Sequence, residues 1–236
     1  MLADNKHSNA VSGSLSKDVQ LPATSLNQLL DFISDELPKW RDRIEDANAE
    51  TILTSRLCAH LNSASRHSSW DFLQFRQEEP DEVVKGRTVD LIAAPSDVTI
   101  WIDGRSYIDF DTLLPIECKR LPTPKAKDRD EREYIIEGNG TTGGMQRFKA
   151  GLHGAKHTMG AMIGYVQQET RAFWNIQISK WIENLAKAKA VGWTLNDRLD
   201  LVHDDEGAKM TILRSSHERD KGLPQIELRH LWISMN

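Results

Sequence analysis

Apolar residues recur at helical spacing in four stretches of the chain. Positions 26–37 predict a first helix, with Ser25 as its N-cap and Pro38 as its end. A second apolar stripe predicts a helix over 44–62, and a third predicts a helix over 174–185. A further stripe after a glycine-rich stretch predicts a helix over 145–159.

Between these helices lie shorter apolar or alternating runs that are typical of β-strands. The Asp103-Gly104 dipeptide between two alternating runs predicts a β-hairpin. The other predicted strands cover 70–77, 87–95, 113–121, 161–168, 209–219 and 225–235. Because helices and strands alternate along the chain, the pattern predicts a mixed α/β fold.

The N-terminal residues differ in composition from the rest of the chain. Residues 1–24 are rich in Ser, Asn, Asp and Lys, and they predict a flexible tail. Residues 25–236 are long enough for one well-buried core, and we expect a single domain there.

The formal net charge of −5 argues against a protein whose whole surface binds nucleic acid, although a local basic groove remains compatible with it. The two cysteines, Cys58 and Cys118, are too few for a disulfide framework or a four-cysteine zinc site. We therefore expect a reducing, cytoplasmic environment. No stretch approaches the roughly 18 apolar residues of a membrane span, and we expect no membrane association.

Three predicted elements carry charged residues in apolar surroundings. Glu50 lies in the stripe of the second helix, Asp90 lies within TVDLIAAP, and Glu117 and Lys119 lie within PIECKR. Strand alternation places Glu117 and Lys119 on one face of the sheet and Cys118 on the other. A buried carboxylate must be paired, protonated or bound to a metal. The alternative for Glu50 is that the helix is rotated, so that Glu50 lies at the edge of the apolar face.

If Asp90 lies on a neighbouring strand, two carboxylates and one ammonium group converge at one end of the sheet. Carboxylates are the hard oxygen ligands that Mg²⁺ or Mn²⁺ prefers, and a bound ion can activate water. Lys119 could then orient or deprotonate the attacking water, or neutralise phosphate charge. The alternative is that Asp90 and Glu117 are ordinary strand-end residues and that Lys119 forms a surface ion pair.

This constellation resembles the PD-(D/E)XK nuclease superfamily, which includes many restriction endonucleases. The resemblance covers residues 44–168 and rests on Asp90, the triplet Glu117-Cys118-Lys119 and the preceding helical Glu50. Val89 stands where the superfamily usually has proline. The resemblance implies a restriction-endonuclease-like core, in which a central mixed β-sheet is flanked by helices.

The resemblance also implies roles for these residues. Asp90, Glu117 and Lys119 would be catalytic. The metal, Mg²⁺ or Mn²⁺, would be held by Asp90, Glu117 and the Cys118 carbonyl, with Glu50 as a ligand through water. The motifs G-M-x-R-F, GYV, S-H-x-R and L-x-H-L, at 144–148, 164–166, 216–219 and 228–231, look similar to small bacterial nuclease-like proteins, which often belong to anti-phage defence systems.

The interval 138–168 contains basic residues and no Asp or Glu. If its helix borders the metal site, its exposed side could receive a nucleic-acid backbone. The predicted contacts are Gln146, Arg147, Lys149, His153 and Lys156. The alternative is a helix that lacks acidic residues by chance.

We therefore expect a metal-dependent nuclease that acts on DNA rather than RNA. It would be an endonuclease with a place in anti-phage defence, and it would act as a homodimer or with a partner subunit. The alternative is a non-catalytic module of the same fold that binds nucleic acid or a protein, which the charged stretch at 122–133 also suits.

Overall fold

A computed structural model describes residues 18–44, 49–125, 129–138, 143–190, 192–219 and 222–236. The predicted tail at 1–17, part of the charged stretch (126–128) and part of the glycine-rich turn (139–142) lie outside the described residues. No helix in the described ranges is long and apolar enough to cross a membrane.

The described residues form strands and helices in alternation, as predicted. In chain order the strands are β1 (Asp18–Leu21), β2 (Leu73–Pro80), β3 (Thr88–Pro95), β4 (Thr99–Ile102), β5 (Arg105–Tyr107), β6 (Leu114–Leu121), β7 (Met159–Val166), β8 (Asp200–Asp205), β9 (Met210–His217) and β10 (Ile226–Ser234). The helices are α1 (Ser25–Arg41), α2 (Glu50–Ser65), α3 (Gly144–Lys149) and α4 (Arg171–Lys187), and a short 3₁₀ helix spans Leu195–Asp197.

Seven strands form the main sheet, in the order β2-β3-β6-β7-β10-β9-β8. The three central strands β6, β7 and β10 run parallel to one another, and the remaining neighbours pair antiparallel. The centre of β7 is apolar on both faces, which is typical of a strand covered on both sides. Gly164 permits this packing, because a Cβ there would overlap the ring of Trp232 on β10.

Helices cover both faces of the main sheet. On one face, α1 and α2 pack through residues such as Leu29 and Leu57 against Cys118, Ile163 and Leu231. On the other face, α3 and α4 pack against the opposite sides of the same strands, with Phe148, Ile178, Met162 and Trp232 in the centre of that core. The predicted mixed α/β architecture, a central mixed sheet flanked by helices, is confirmed.

A second sheet contains β1, β4 and β5. The predicted hairpin is confirmed: Asp103 and Gly104, both with positive φ, join β4 to β5. Residues 18–21 pair in parallel with β4, so the prediction of a flexible tail as far as residue 24 is wrong for this segment. Val19 and Leu21 gain contacts with the main core, which stabilise a segment whose composition alone suggests disorder.

The structure corrects three helix boundaries. Helix α1 continues through Pro38 to Arg41, because Trp40 extends its buried face by one turn. Helix α2 begins at Glu50 rather than near residue 44. Helix α3 ends at Lys149 instead of reaching residue 159, because the chain turns at Gly151 and Gly154, both of which have positive φ.

Candidate active site

The pairing of β3 with β6 ends next to Asp90. Leu91 on β3 pairs with Ile116 on β6, and the next residues, Asp90 and Glu117, lie just beyond the end of this pairing. In place of a backbone partner, the carboxylate Oδ2 of Asp90 accepts a 2.8 Å hydrogen bond from the backbone N–H of Cys118. The predicted neighbouring strands therefore bring Asp90 and the Glu117-Cys118-Lys119 triplet together.

The ammonium group of Lys119 lies at the centre of this cluster. Its Nζ donates to the Cys118 carbonyl oxygen at 2.8 Å and to Asp90 Oδ2 at 3.0 Å. It also lies 3.4 Å from Oε1 of Glu50 and 3.4 Å from Oε1 of Glu117. The four oxygen donors that the resemblance implies for a metal thus surround a single positive charge.

Glu50 reaches this cluster from the first turn of α2. One carboxylate oxygen contacts Lys119, and the other accepts a 3.2 Å hydrogen bond from the backbone N–H of Arg120. Glu50 therefore does not lie in the middle of an apolar helix face, because α2 begins at this residue. Its side chain remains one-fifth exposed and can meet a solvent-borne ligand.

Glu117 is fully buried and lies beside Lys119, Arg147 and His153. Its Oε1 accepts a 2.5 Å hydrogen bond from Nη1 of Arg147, and its Oε2 lies 3.3 Å from Nδ1 of His153. Burial would raise the pKa of Glu117, but Lys119, His153 and Arg147 together lower it to about 2. This carboxylate is therefore ionised throughout the physiological range.

Asp90 and Lys119 differ from Glu117 in their protonation. Burial, together with the charge of Glu117, raises the pKa of Asp90 to about 6. Burial would lower the pKa of Lys119, but the carboxylates of Glu117, Asp90 and Glu50 raise it well above its ordinary value. Lys119 is thus a fixed cation here, which suits orienting or neutralising roles better than accepting a proton.

A small cleft of about 70 Å³ opens beside the cluster. Three acidic residues, Glu50, Glu78 and Asp90, line it together with Thr51, Thr54 and Gln77. Glu78 was not predicted from the sequence. It lies between the pairs Gln77–Leu91 and Glu79–Val89, opposite Asp90, and its φ of 53° is unusual for a residue other than glycine. Once β2 and β3 are paired as a hairpin, this register would have placed it at the site.

Cys118 faces away from the acidic side chains, as strand alternation predicts. It is fully buried in the core beneath α1 and α2, and burial raises the pKa of its thiol far above the ordinary value. Its side chain therefore serves packing, while its backbone carbonyl faces the cluster.

Three of the five predicted nucleic-acid contacts lie in the interior. Gln146 accepts a 2.6 Å hydrogen bond from Nε1 of Trp193, and Lys149 forms a buried ion pair with Asp197. His153 is fully buried. In these positions none of the three side chains presents its polar group to a nucleic-acid backbone.

The other two predicted contacts remain accessible. The Arg147 side chain is 24% exposed while it holds Glu117. The Lys156 side chain is 52% exposed and lies 3.9 Å from Glu82. Their contact with nucleic acid remains a prediction.

A chain of buried hydrogen bonds crosses the sheet beside α3. Trp232 Nε1 donates to the Tyr134 hydroxyl at 2.8 Å, and this hydroxyl is 2.8 Å from Nδ1 of His230. Ser215 Oγ lies 2.7 Å from Nε2 of His230 and 2.6 Å from Nε2 of His217. These distances fit one donor direction, in which Tyr134 donates to His230, His230 to Ser215, and Ser215 to His217.

The chain of hydrogen bonds ends at Asp197, whose Oδ1 lies 2.6 Å from Nδ1 of His217. Burial lowers the pKa of both His217 and His230, which agrees with the neutral rings that this direction requires. Although Asp197, His217 and Ser215 follow the order of a hydrolase triad, all three are buried, so we assign them a structural role.

Arg219 of the S-H-x-R motif is also structural. Its guanidinium donates to the backbone carbonyls of Pro224, Gly154 and His157. These bonds fix the loop between α3 and β7, which carries His153 to Glu117. His217 and His230 of the two C-terminal motifs are fully buried core residues.

Within the described ranges, no group of three or more His, Cys, Asp or Glu side chains has the geometry of a metal site. The three carboxylates surround Lys119 instead. Comparisons with family models, with curated proteins and with solved structures find no match to this chain. The function is therefore argued from the geometry of the cluster.

Proposed function

We propose that this protein is a divalent-metal-dependent nuclease that hydrolyses phosphodiester bonds in DNA. One observation carries the proposal: oxygen atoms of Glu50, Asp90, Glu117 and the Cys118 backbone all lie within 3.4 Å of Lys119 Nζ. This arrangement gathers hard oxygen donors around a point that a cation occupies. Oxygen donors of this kind are those that Mg²⁺ and Mn²⁺ prefer.

The donor set fits the group that the resemblance implies. Asp90, Glu117 and the Cys118 carbonyl would hold Mg²⁺ or Mn²⁺, with Glu50 acting through water. When bound, the ion supplies activation of water and neutralisation of phosphate charge. Lys119 would then orient the water or neutralise the phosphate, because its raised pKa keeps it protonated.

The acidic cleft supports a requirement for a cation. Glu50, Glu78 and Asp90 line it, so an approaching phosphodiester meets like charge. A phosphodiester in this cleft therefore needs a cation that compensates the acidic charge. This charge distribution favours a metal-dependent activity over simple binding of the backbone in the cleft.

Of the five predicted nucleic-acid contacts, Arg147 and Lys156 stay accessible, so these residues alone offer little positive surface. We therefore propose that a second copy of the chain or a partner subunit helps to hold the substrate. The resemblance supplies the remaining parts of the proposal. The substrate is DNA rather than RNA, cleavage is endonucleolytic, and the protein acts in the cytoplasm as part of anti-phage defence.

The alternative is a non-catalytic module of the same fold. It is favoured by one observation: Lys119 and Arg147 already balance most of the carboxylate charge in the cluster. Calorimetric titration with Mn²⁺ separates the two functions. Heat of binding, measured with and without duplex DNA, that disappears in the double variant Asp90→Asn/Glu117→Gln supports the nuclease, and equal heats for the two proteins under both conditions support the binding module.

The activity itself is tested with single- and double-stranded forms of DNA and RNA. The purified protein is incubated with each substrate in Mg²⁺, in Mn²⁺ and in EDTA. We expect DNA to be cleaved in either metal and to stay intact in EDTA. Intact DNA under all three conditions would contradict the proposal, whereas cleavage of RNA alone would correct the substrate.

A further inference from the structure

Arg147 holds the most buried carboxylate of the cluster by a single nitrogen. Its Nη1 donates to Glu117 Oε1, while its Nε is buried and has no hydrogen-bond partner among the described residues. The same Oε1 lies 3.4 Å from Lys119 Nζ. One oxygen of Glu117 therefore faces two positive charges in the protein as it stands.

This arrangement opposes the binding of a cation to Glu117. A divalent ion at Oε1 would add two positive charges next to the Arg147 guanidinium and the Lys119 ammonium. Like charges a few ångströms apart repel strongly in a site that excludes water. Arg147 must therefore leave Oε1, or share it less closely, before this oxygen of Glu117 can become a metal ligand.

Arg147 has a chemically suitable alternative partner. A guanidinium can bind phosphate by two parallel hydrogen bonds. Arg147 makes one hydrogen bond with Glu117, so a phosphate offers it one more. Its side chain is 24% exposed, whereas Glu117 is fully buried. Arg147 can thus turn towards solvent while Glu117 stays in place.

His153 provides the second support for Glu117. It is fully buried, and Nδ1 lies 3.3 Å from Oε2 of Glu117. In the part of the chain that the structure describes, neither ring nitrogen has a hydrogen-bond partner. Because Arg219 donates to the carbonyls of Gly154 and His157, it holds the segment directly after His153, and His153 keeps its position when Arg147 moves. The carboxylate is therefore held from one side by a fixed ring and from the other by a movable cation.

We propose that Arg147 is a positioning residue that blocks Glu117 from divalent cations until a phosphate of the nucleic acid draws it away. This inference rests on the proposed function. The consequence is cooperative binding: nucleic acid raises the affinity for the metal, and by reciprocity the metal raises the affinity for nucleic acid by the same factor. Without substrate, the protein binds the metal weakly.

The test is calorimetric titration of Mn²⁺ into the full chain, alone and with a DNA duplex that carries phosphorothioate linkages, at one salt concentration. The proteins are wild type, Arg147→Met and Arg147→Lys, with Arg198→Met as the control. Arg198 forms a surface ion pair with Glu183 and should behave as wild type.

For wild type we expect Mn²⁺ to bind at least tenfold more tightly when the duplex is present. For Arg147→Met we expect at least tenfold tighter binding than wild type without DNA, and a gain of less than threefold on adding DNA. Arg147→Lys, which keeps the charge, should lie between them. If Arg147→Met does not fold, the Arg147→Lys protein and the wild-type comparison still decide the result.

The sign of the change separates this role from a merely structural one. If Arg147 only held the Glu117 carboxylate in position, its replacement would weaken Mn²⁺ binding, and that result overturns the inference. An affinity of wild type for Mn²⁺ that DNA does not change also overturns it. If no protein binds Mn²⁺ with or without DNA, the metal site itself is wrong and the inference falls with the proposed function.

Discussion

The side-chain nitrogen of Lys119 lies 3.0 Å from Oδ2 of Asp90, and both groups converge on the point where β3 and β6 separate. The ammonium group takes the central position among oxygen atoms from three separate segments of the chain. In a buried setting such a charge is tolerated only because each oxygen compensates part of it. Oxygen atoms of this kind are also those that a divalent cation prefers.

Replacing Lys119 with Met should destabilise the metal-free protein by about 3–5 kcal/mol, because the carboxylates lose the charge that compensates them. Mn²⁺ should restore part of this loss and raise the melting temperature of the variant more than that of wild type. Thermal melts in EDTA and in Mn²⁺ measure both effects.

The matched control for this prediction is Lys39→Met. Lys39 forms a pair with Glu36 while its side chain is 60% exposed, so we expect a change below about 1 kcal/mol and no response to Mn²⁺. A Lys119→Met protein that is as stable as wild type in EDTA would show that the cluster is not coupled to folding.

The raised pKa of Asp90 predicts that metal binding weakens in mild acid. Below pH about 6 the carboxyl is mostly protonated and must lose a proton to bind a cation, whereas Glu117, with its pKa of about 2, stays ionised. The Mn²⁺ affinity should therefore fall about tenfold between pH 7 and pH 5. Calorimetry in two buffers of different ionisation enthalpy measures the proton released. An affinity that stays constant between these pH values, without proton release, would contradict the assignment of Asp90 as a ligand.

The buried hydrogen-bond chain makes a separate prediction about stability. Ser215→Ala removes the hydroxyl that joins His217 to His230 and leaves both ring nitrogens unpaired in the core. We expect a loss of about 1–3 kcal/mol in the free energy of unfolding, measured by urea denaturation. The adjacent Ser216 points to solvent, so Ser216→Ala should change the stability by less than about 0.5 kcal/mol. Equal effects of the two substitutions would argue against the chain.

Much of the fold was predictable because its central strands are strongly apolar. Strands β6, β7 and β10 have few polar residues facing the core, and the Asp103-Gly104 turn marks its hairpin locally. Strand β8 was not predicted. It is an edge strand whose six residues are all exposed, so its sequence shows no alternation of apolar and polar residues. Its pairing with β9 depends on a neighbour that the local sequence does not specify.

The candidate site was predicted in part. Alternation placed Glu117 and Lys119 on one face, and the structure brings Asp90 and Glu50 to them. The surface next to it was harder to predict, because Lys149 pairs with Asp197, which follows 48 positions later. A segment without acidic residues therefore suggests a basic surface, even when its lysines are paired with acidic residues from a distant part of the chain.

The most direct test of the account is the rate at which duplex DNA is cut in Mg²⁺ by wild type, Glu117→Gln and Glu227→Gln. Glu227 lies on β10 and its side chain is 37% exposed, outside the cluster, so this variant is the matched control. The account predicts cleavage by wild type and Glu227→Gln at similar rates, and a rate at least about 100-fold lower for Glu117→Gln. Equal cleavage by all three proteins, or none by wild type, would contradict it.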